Sequence, residues 1–253
     1  MKRYINSFKN IKKPFLFWSE YYKRKEKPET DSFHVTLSGG LKVEIPNDLI
    51  SAFDEVFLRE VYHSESNSAM NIAPLIIDIG ANVGYFSLYA FNNFKKARVI
   101  AFEPFPPNFK LLDKHKVENA LDNLILDKRA VSGTDSVLKI NFNPDVDYSV
   151  GASMVNRDGA SSTLEVEAIS LKDLFDQYNV DHCDLLKIDC EGAEYNILFN
   201  TSDDVFDCID KIVIEMHEWV PKEEGTPDKL ISFLEEKGFK VDFKSNWMLW
   251  AIK

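Results

Sequence analysis

Cysteine is scarce in this chain of 253 residues; only Cys183, Cys190 and Cys208 occur. An odd count without CxxC spacing excludes a disulfide scaffold and a thiolate zinc site, and it fits a reducing, cytoplasmic compartment. Long apolar runs are missing too. The most apolar window, residues 72–91, contains Asp78 and Asn82, so it reads as strand, turn and helix rather than a membrane span. The start is basic, but no apolar stretch with a small-residue cleavage site follows it, so no secretory signal is expected. Positive charge is in deficit overall. A net charge of −11 argues against nucleic acid as the main partner.

What is present suits one large domain with a full hydrophobic core: 45% of residues are hydrophobic and 28% charged. The charge is unevenly spread. Residues 1–30 hold nine Lys/Arg against three Glu, a local +6, so the remainder of the chain carries −17. Within this segment Pro14 can open a helix running to about Glu26, and Pro28 stops it. Phe15, Phe17, Trp18, Tyr21 and Tyr22 interleave with lysines there. Residues 1–30 therefore read as a basic aromatic appendage, packed on the domain or on a partner subunit of a homo-oligomer. The sharper alternative is contact with an anionic membrane surface or a polyanionic substrate, which would station the protein peripherally at a membrane.

Residues 31–70 read as a hairpin and helix packed on the core. His34–Ile45 turns around Ser38-Gly39-Gly40, and Asn47 can cap a helix carrying Leu49, Ile50, Phe53, Val56 and Phe57 on one face. Residues 71–253 change pattern. Strands are predicted at 75–79, 98–102, 124–127, 184–189 and 211–215, and helices at about 83–93, 107–117, 171–178, 193–200 and 226–237. Such alternation predicts an α/β fold with a doubly wound, mostly parallel sheet. Phe239–Phe243 and Met248–Ile252 alternate on either side of Ser245-Asn246, predicting an antiparallel hairpin that closes the sheet. Segments 136–143 and 164–168 are strand-like and flank a polar loop.

The stretch LIIDIGANVGYF, residues 75–86, carries the clearest chemistry. An apolar strand ends in an acid, then a Gly-x-Asn-x-Gly turn, then a helix. In open α/β sheets ligands bind beyond the carboxyl ends of the strands, and Gly80 and Gly84 let the backbone turn without a Cβ. A dinucleotide fingerprint wants GxGxxG facing a pyrophosphate; here Asn82 replaces the second glycine and the third is absent. Asp78 suits an ammonium or a sulfonium better than a phosphate. S-adenosyl-L-methionine carries both cations and no phosphate. Glu103, ending the next strand, can accept from both ribose hydroxyls; Phe105 could lie on the adenine, and Asp127 could accept from its amino group.

With these residues the chain resembles the FkbM family of S-adenosylmethionine-dependent methyltransferases. The likeness rests on IDIGANVGYFSL around Asp78, AFEPFPPNFKLL (101–112), LLKIDCEGAEYNIL (185–198) and IEMH (214–217), with VEAISLKDLF (166–175) a looser match. It spans over half the chain. The resemblance implies the class I methyltransferase (Rossmann-like) fold, a seven-stranded sheet whose last strand runs antiparallel. It also implies O-methylation of a sugar, polysaccharide precursor or secondary metabolite. Asp78, Gly80, Asn82, Gly84 and Glu103 would then line the cofactor site, with Asp189 beside the transferring methyl group.

Candidate bases crowd two strand ends: Asp189 and Glu191 on one, Glu215 and His217 on the next. His217 is the preferred base, because an imidazole with pKa near ~6.5 can be neutral and accepting at cellular pH; Glu215 or Asp189 could orient it. Glu194 is expected to cap or pack. The rival arrangement is a divalent metal held by Asp189, Glu191, Glu215 or His217; it is the less favoured of the two, because clustered acids line any cation-binding cleft. Lys187 is expected to pair with a carboxylate. In the long polar loop 143–163, Ser153 and Arg157 could reach the acceptor alongside Glu191. Two other function classes stay open: a nicotinamide-dependent oxidoreductase on a Rossmann-like fold, and a non-catalytic module that binds partners through the amino terminus.

Overall fold

The computed structural model describes residues 1–26, 31–63, 70–144, 148, 161–217, 220–223, 225–243 and 247–253. Two helices open the chain, α1 (Lys2–Asn10) and α2 (Pro14–Glu26). An antiparallel hairpin follows, β1 (Ser32–Thr36) and β2 (Lys42–Pro46). The next passage begins as a 3₁₀ turn (Asn47–Leu49), continues as α3 (Ile50–Phe53) and widens into a π-type turn (Asp54–Arg59). Asn47 does not cap it. Pro46 takes the flanking position, and the Asn47 Oδ1 accepts instead from Arg24 Nη1 at 3.1 Å.

Strand and helix then alternate as β3 (Leu75–Ile79), α4 (Tyr85–Asn93), β4 (Arg98–Phe102), α5 (Pro106–Glu118) and β5 (Leu124–Asp127). A side sheet comes next, from β6 (Ala130–Ser132), β7 (Ser136–Phe142) and β8 (Ser162–Ser170), in the order β6-β8-β7. The main sheet resumes through α6 (Leu171–Tyr178), β9 (Leu185–Ile188), α7 (Glu194–Phe199), α8 (Asp203–Asp207) and β10 (Lys211–Glu215). It ends with α9 (Pro227–Glu236), β11 (Lys240–Phe243) and β12 (Met248–Ile252). Seven strands lie in the order β11-β12-β10-β9-β3-β4-β5. The terminal hairpin does not simply add to the edge: β12 slots between β10 and β11 and runs antiparallel to both. The expected Ser245-Asn246 turn lies outside the described residues.

Strand order reverses between β3 and β9, so the crevice of the switch point opens above their carboxyl ends. Period-two alternation sends β3 side chains to two different cores. Ile76 joins a cluster with Val99, Leu185, Trp250, Phe53 and Phe57. Ile77 and Ile79 join a second with Ile100, Leu186, Ile212 and the helices from α6 onward. Phe17 and Trp18 of α2 belong to the first cluster, so the basic, aromatic segment shares the core of the sheet. The amino-terminal helices and the 47–59 passage thus cover one face and bring Tyr62 to the crevice. No helix among the described residues is long and apolar enough to cross a membrane.

Candidate active site

The turn after β3 is dictated by what stands against it. Gly80 has φ +72°, and a Cβ there would lie 1.7 Å from the Asp189 carbonyl oxygen. The Gly80 and Ala81 amides donate to Phe102 O on β4 at 3.1 and 2.9 Å. Asn82, also left-handed at φ 52°, accepts on Oδ1 from Val83 N at 2.7 Å. Its own amide donates to Glu103 Oε2 at 2.7 Å, and Phe105 N donates to Glu103 Oε1 at 2.9 Å. Glu103 is thereby pinned at the crevice with both oxygens held. Burial pushes its carboxyl up to about 7, more than the two amides pull it down.

Two adjoining pockets form the crevice, and Gly80, Asp189 and Glu191 line both. One continues along Glu103, Arg129, Val131, Ile140 and Ala193. The other continues along Glu55, Tyr62, Asn82, Phe86, Lys187 and Glu215. Gly80, Asn82, Glu103, Asp189, Glu191 and Glu215 are therefore brought together as expected. Ser153 and Arg157 lie outside the described residues.

Four expectations are corrected. Gly84 lines neither pocket: it opens α4, where a Cβ would meet Leu112 Cδ1 at 2.4 Å, so the glycine serves helix packing. Asp78 is fully buried; its Oδ2 accepts from Ser87 Oγ at 2.7 Å and its Oδ1 faces Lys187 Nζ at 3.2 Å. The charge is thus used inside the sheet rather than offered to a ligand. Phe105 packs 5.2 Å from Phe142 in the side-sheet core, and Val131 and Ile140 supply the apolar lining. Asp127 is clamped by Arg129, with Nη2 at 2.5 Å, and by the Tyr178 hydroxyl at 2.8 Å. Those bonds hold its carboxyl below the usual range against the opposing effect of burial.

Lys187, at the register position opposite Asp78, fixes the turn from beneath. Its Nζ donates to Gly80 O at 2.7 Å and lies 3.5 Å from Asp189. Burial works to lower its pKa, but Asp78 and Asp189 outweigh it and hold the ammonium charged.

His217 departs most from expectation. Its Nδ1 lies 2.9 Å from Glu194 Oε1, so Glu194 is the residue that orients it. The same oxygen also accepts from the Cys190 and Gly192 amides, both at 3.2 Å. Burial would lower the imidazole pKa, yet Glu194, Glu191 and Asp189 raise it to about 9. At cellular pH the ring is an imidazolium and cannot serve as the base. Glu215 is hydrogen-bonded instead to Tyr62. The Tyr62 hydroxyl stands 2.7 Å from Asp189 Oδ2 and 3.1 Å from Glu215 Oε2. Its single proton can be donated to one of the two carboxylates at a time. Burial, with Asp189 next, pushes Glu215 up to about 7. Tyr62, Glu55 and Arg129 also line the crevice, and no motif spacing in the sequence marks them.

Asp189, Glu191 and His217 each offer a ligand atom within 4.8 Å of the others, a donor set able to hold a divalent cation only if the cation displaces the Nε2 proton of the imidazolium. Glu215 is not part of that set.

The methyltransferase FkbM domain family matches residues 78–241. Methyltransferase sdnD of Sordaria araneosa is 25% identical over 223 residues, covering 76% of this chain and 85% of the relative. The 31-O-demethyl-FK506 methyltransferase FkbM of Streptomyces tacrolimicus is 24% identical over 194 residues, covering 66% and 73%. The hexuronic acid methyltransferase AglP of Haloferax volcanii is 26% identical over 155 residues, covering 61% and 60%. Among solved structures, the FkbM methyltransferase of Methylobacillus flagellatus KT superposes with a TM-score of 0.51 at 13% identity. That match covers 82% of this chain and about half, 54%, of the solved one. The sheet order and this likeness agree on the class I methyltransferase fold, and with the family match over residues 78–241 the chain belongs to the FkbM methyltransferase family.

Proposed function

We propose that the chain is an S-adenosylmethionine-dependent O-methyltransferase acting on a hydroxyl of a sugar, polysaccharide precursor or secondary metabolite. The observation that carries this reading is the chemistry of the crevice lining. Glu103 stands ready for ribose hydroxyls at one end, and Glu55, Asp189, Glu191 and Glu215 gather at the other around a lysine already used by Asp78. Such a lining suits a sulfonium and an ammonium and is poorly suited to a pyrophosphate. This weighs against the nicotinamide alternative. One relative is named for a 31-O-demethyl substrate and another for hexuronic acid, which supports oxygen as the acceptor atom and a metabolite or sugar as its carrier.

When bound, S-adenosylmethionine supplies an electrophilic methyl group whose bonding pair stays on sulfur. The protein aligns the acceptor hydroxyl and takes its proton. Alignment can supply about 7–11 kcal/mol of the barrier, and a positioned base roughly 10²–10⁴-fold in rate. Asp189 is the accepting carboxylate, because it lines both halves of the crevice. Tyr62 links it to Glu215, whose pKa of about 7 suits proton exchange near neutral pH. The imidazolium of His217 faces Asp189 at 3.9 Å and Glu191 at 3.6 Å and neutralises the crowded acids. A labelled-methyl assay across sugars, glycans and metabolites tests the reading, with calorimetry against S-adenosylhomocysteine and NAD. Binding of NAD alone would overturn it.

A second reading rests on the convergence of Asp189, Glu191 and His217. A divalent cation there would lower the acceptor's pKa directly. Loss of activity in EDTA, restored by Mg²⁺ or Mn²⁺, would select it.

A further inference from the structure

Helix α1 is built inside out. The side chains it turns into the protein are polar: Asn6, Ser7 and Asn10 are its buried residues. They dock by hydrogen bonds, Asn6 Nδ2 to Leu58 O at 2.8 Å and Asn10 Nδ2 to Phe57 O at 2.7 Å. Arg3 and Lys9 tie the helix down further, to Asp54 at 2.7 Å and Glu60 at 2.8 Å. The apolar stripe faces solvent. Met1, Tyr4, Ile5 and Phe8 recur at helical spacing and are all exposed, Ile5 at 62% and Phe8 at 54%.

The stripe continues onto α2. Phe8 meets Phe15 edge to face at 5.2 Å, and Phe15 is 77% exposed with Leu16 beside it. Tyr4 packs 4.5 Å from Trp18 and shares a hydroxyl contact with Tyr22. Seven of the eleven exposed large apolar side chains among the described residues fall in residues 1–22. They form one patch rather than a scatter, and such patches mark interaction surfaces.

Charge selects the partner. Lys2 is exposed on α1, and Lys12 and Lys13 are exposed in the link between α1 and α2, inside a segment of +6 on a chain whose remainder is −17. An anionic surface would attract this segment and repel the rest, which fixes an orientation. A second copy of the chain is disfavoured, since an isologous contact would set these lysines against themselves. We infer that the exposed face of α1 and the start of α2 form an interfacial anchor for an anionic lipid bilayer, with Ile5, Phe8, Phe15 and Leu16 entering the headgroup boundary and the lysines pairing with lipid headgroups. This inference stands independently of the methyl-transfer reading.

Co-sedimentation of the full chain with phosphatidylcholine vesicles, with and without phosphatidylserine, tests it. Binding is expected to the anionic vesicles, to fall with salt, and to weaken at least about tenfold in F8D/F15D and in K12E/K13E. These positions are exposed, so the circular dichroism and urea midpoint of both variants should match the parent. Equal binding to neutral vesicles, or none to anionic ones, would overturn it. So would a lipid-free dimer that F8D/F15D dissociates.

Discussion

The Nδ1 of His217 stands 2.9 Å from Glu194 Oε1, and both side chains are buried. The contact makes the ring's charge a matter of stability. Its folded pKa of about 9 lies above the ordinary value of 6.5. A group raised in this way stabilises fully below pH ~6.5, and the contribution is lost as pH climbs through about 9. Unfolding free energy should therefore drop across that window, by on the order of 3 kcal/mol. Urea titrations at pH 6, 7.5 and 9.5 measure it, with H217Q as the variant in which the fall between pH 7.5 and 9.5 is lost. A flat profile in the parent protein would contradict the assignment of the imidazolium.

Glu103 shifts stability in the same direction as His217, in a lower pH window. Its carboxyl is raised to about 7 by burial, so the folded state binds more protons than the unfolded one between pH ~4.5 and 7, and this group's contribution to stability declines as pH rises through that interval. Donor binding should run the other way, because ribose hydroxyls need the ionised form to accept. The affinity for S-adenosylhomocysteine is expected to weaken as pH falls below about 7. E103Q should bind it at least about tenfold more weakly at any pH, since its amide would set a donor against a backbone N–H. Calorimetry at pH 6 and 8 measures both; pH-independent affinity in the parent would speak against Glu103 as the ribose acceptor.

The sheet was legible in the sequence because β3, β4 and β10 are short apolar runs buried on both faces, a pattern that depends on no distant partner. The Gly80 turn was legible too, since only glycine fits so close to the Asp189 carbonyl. The role of Asp78 was not. Its partner Lys187 is brought alongside only by the parallel register of β3 and β9, so an acid that reads locally as a ligand group turns out to be a buried ion pair. Helix α1 is illegible for a different reason: it docks by asparagine, serine and ion pairs, so no apolar stripe in its sequence faces inward. Tyr62 is a single aromatic after a helix. Nothing near it in sequence indicates that it bridges residues 127 and 153 positions away.

That bridge supports a kinetic prediction. Removing the hydroxyl in Y62F leaves Asp189 and Glu215 without their common link, but it takes nothing from Glu103 or the Gly80 turn. The kcat should fall about 10- to 100-fold, with S-adenosylhomocysteine affinity unchanged within about threefold and a stability loss near ~1 kcal/mol. The pH–rate profile is the discriminating readout, since the step near pH 7 attributed to Glu215 should move. An unaltered profile with unaltered kcat would reduce Tyr62 to a packing residue.

Two glycines separate steric need from backbone preference. Gly80 and Gly238 both lie in the left-handed region, at φ +72° and +86°. A Cβ on Gly238 would meet nothing within 4 Å, whereas one on Gly80 would collide with the Asp189 carbonyl at 1.7 Å. G238A should therefore cost only the conformational penalty, roughly 1–2 kcal/mol. G80A must in addition push apart β3 and the segment after β9, because a backbone oxygen cannot rotate away as a side chain can. A loss above about 4 kcal/mol, or failure to fold, is expected. Were G80A to unfold at the same urea concentration as G238A, the close approach of the turn to Asp189 would be disproved. With it would go the geometry that lets Gly80 and Asp189 share both halves of the crevice.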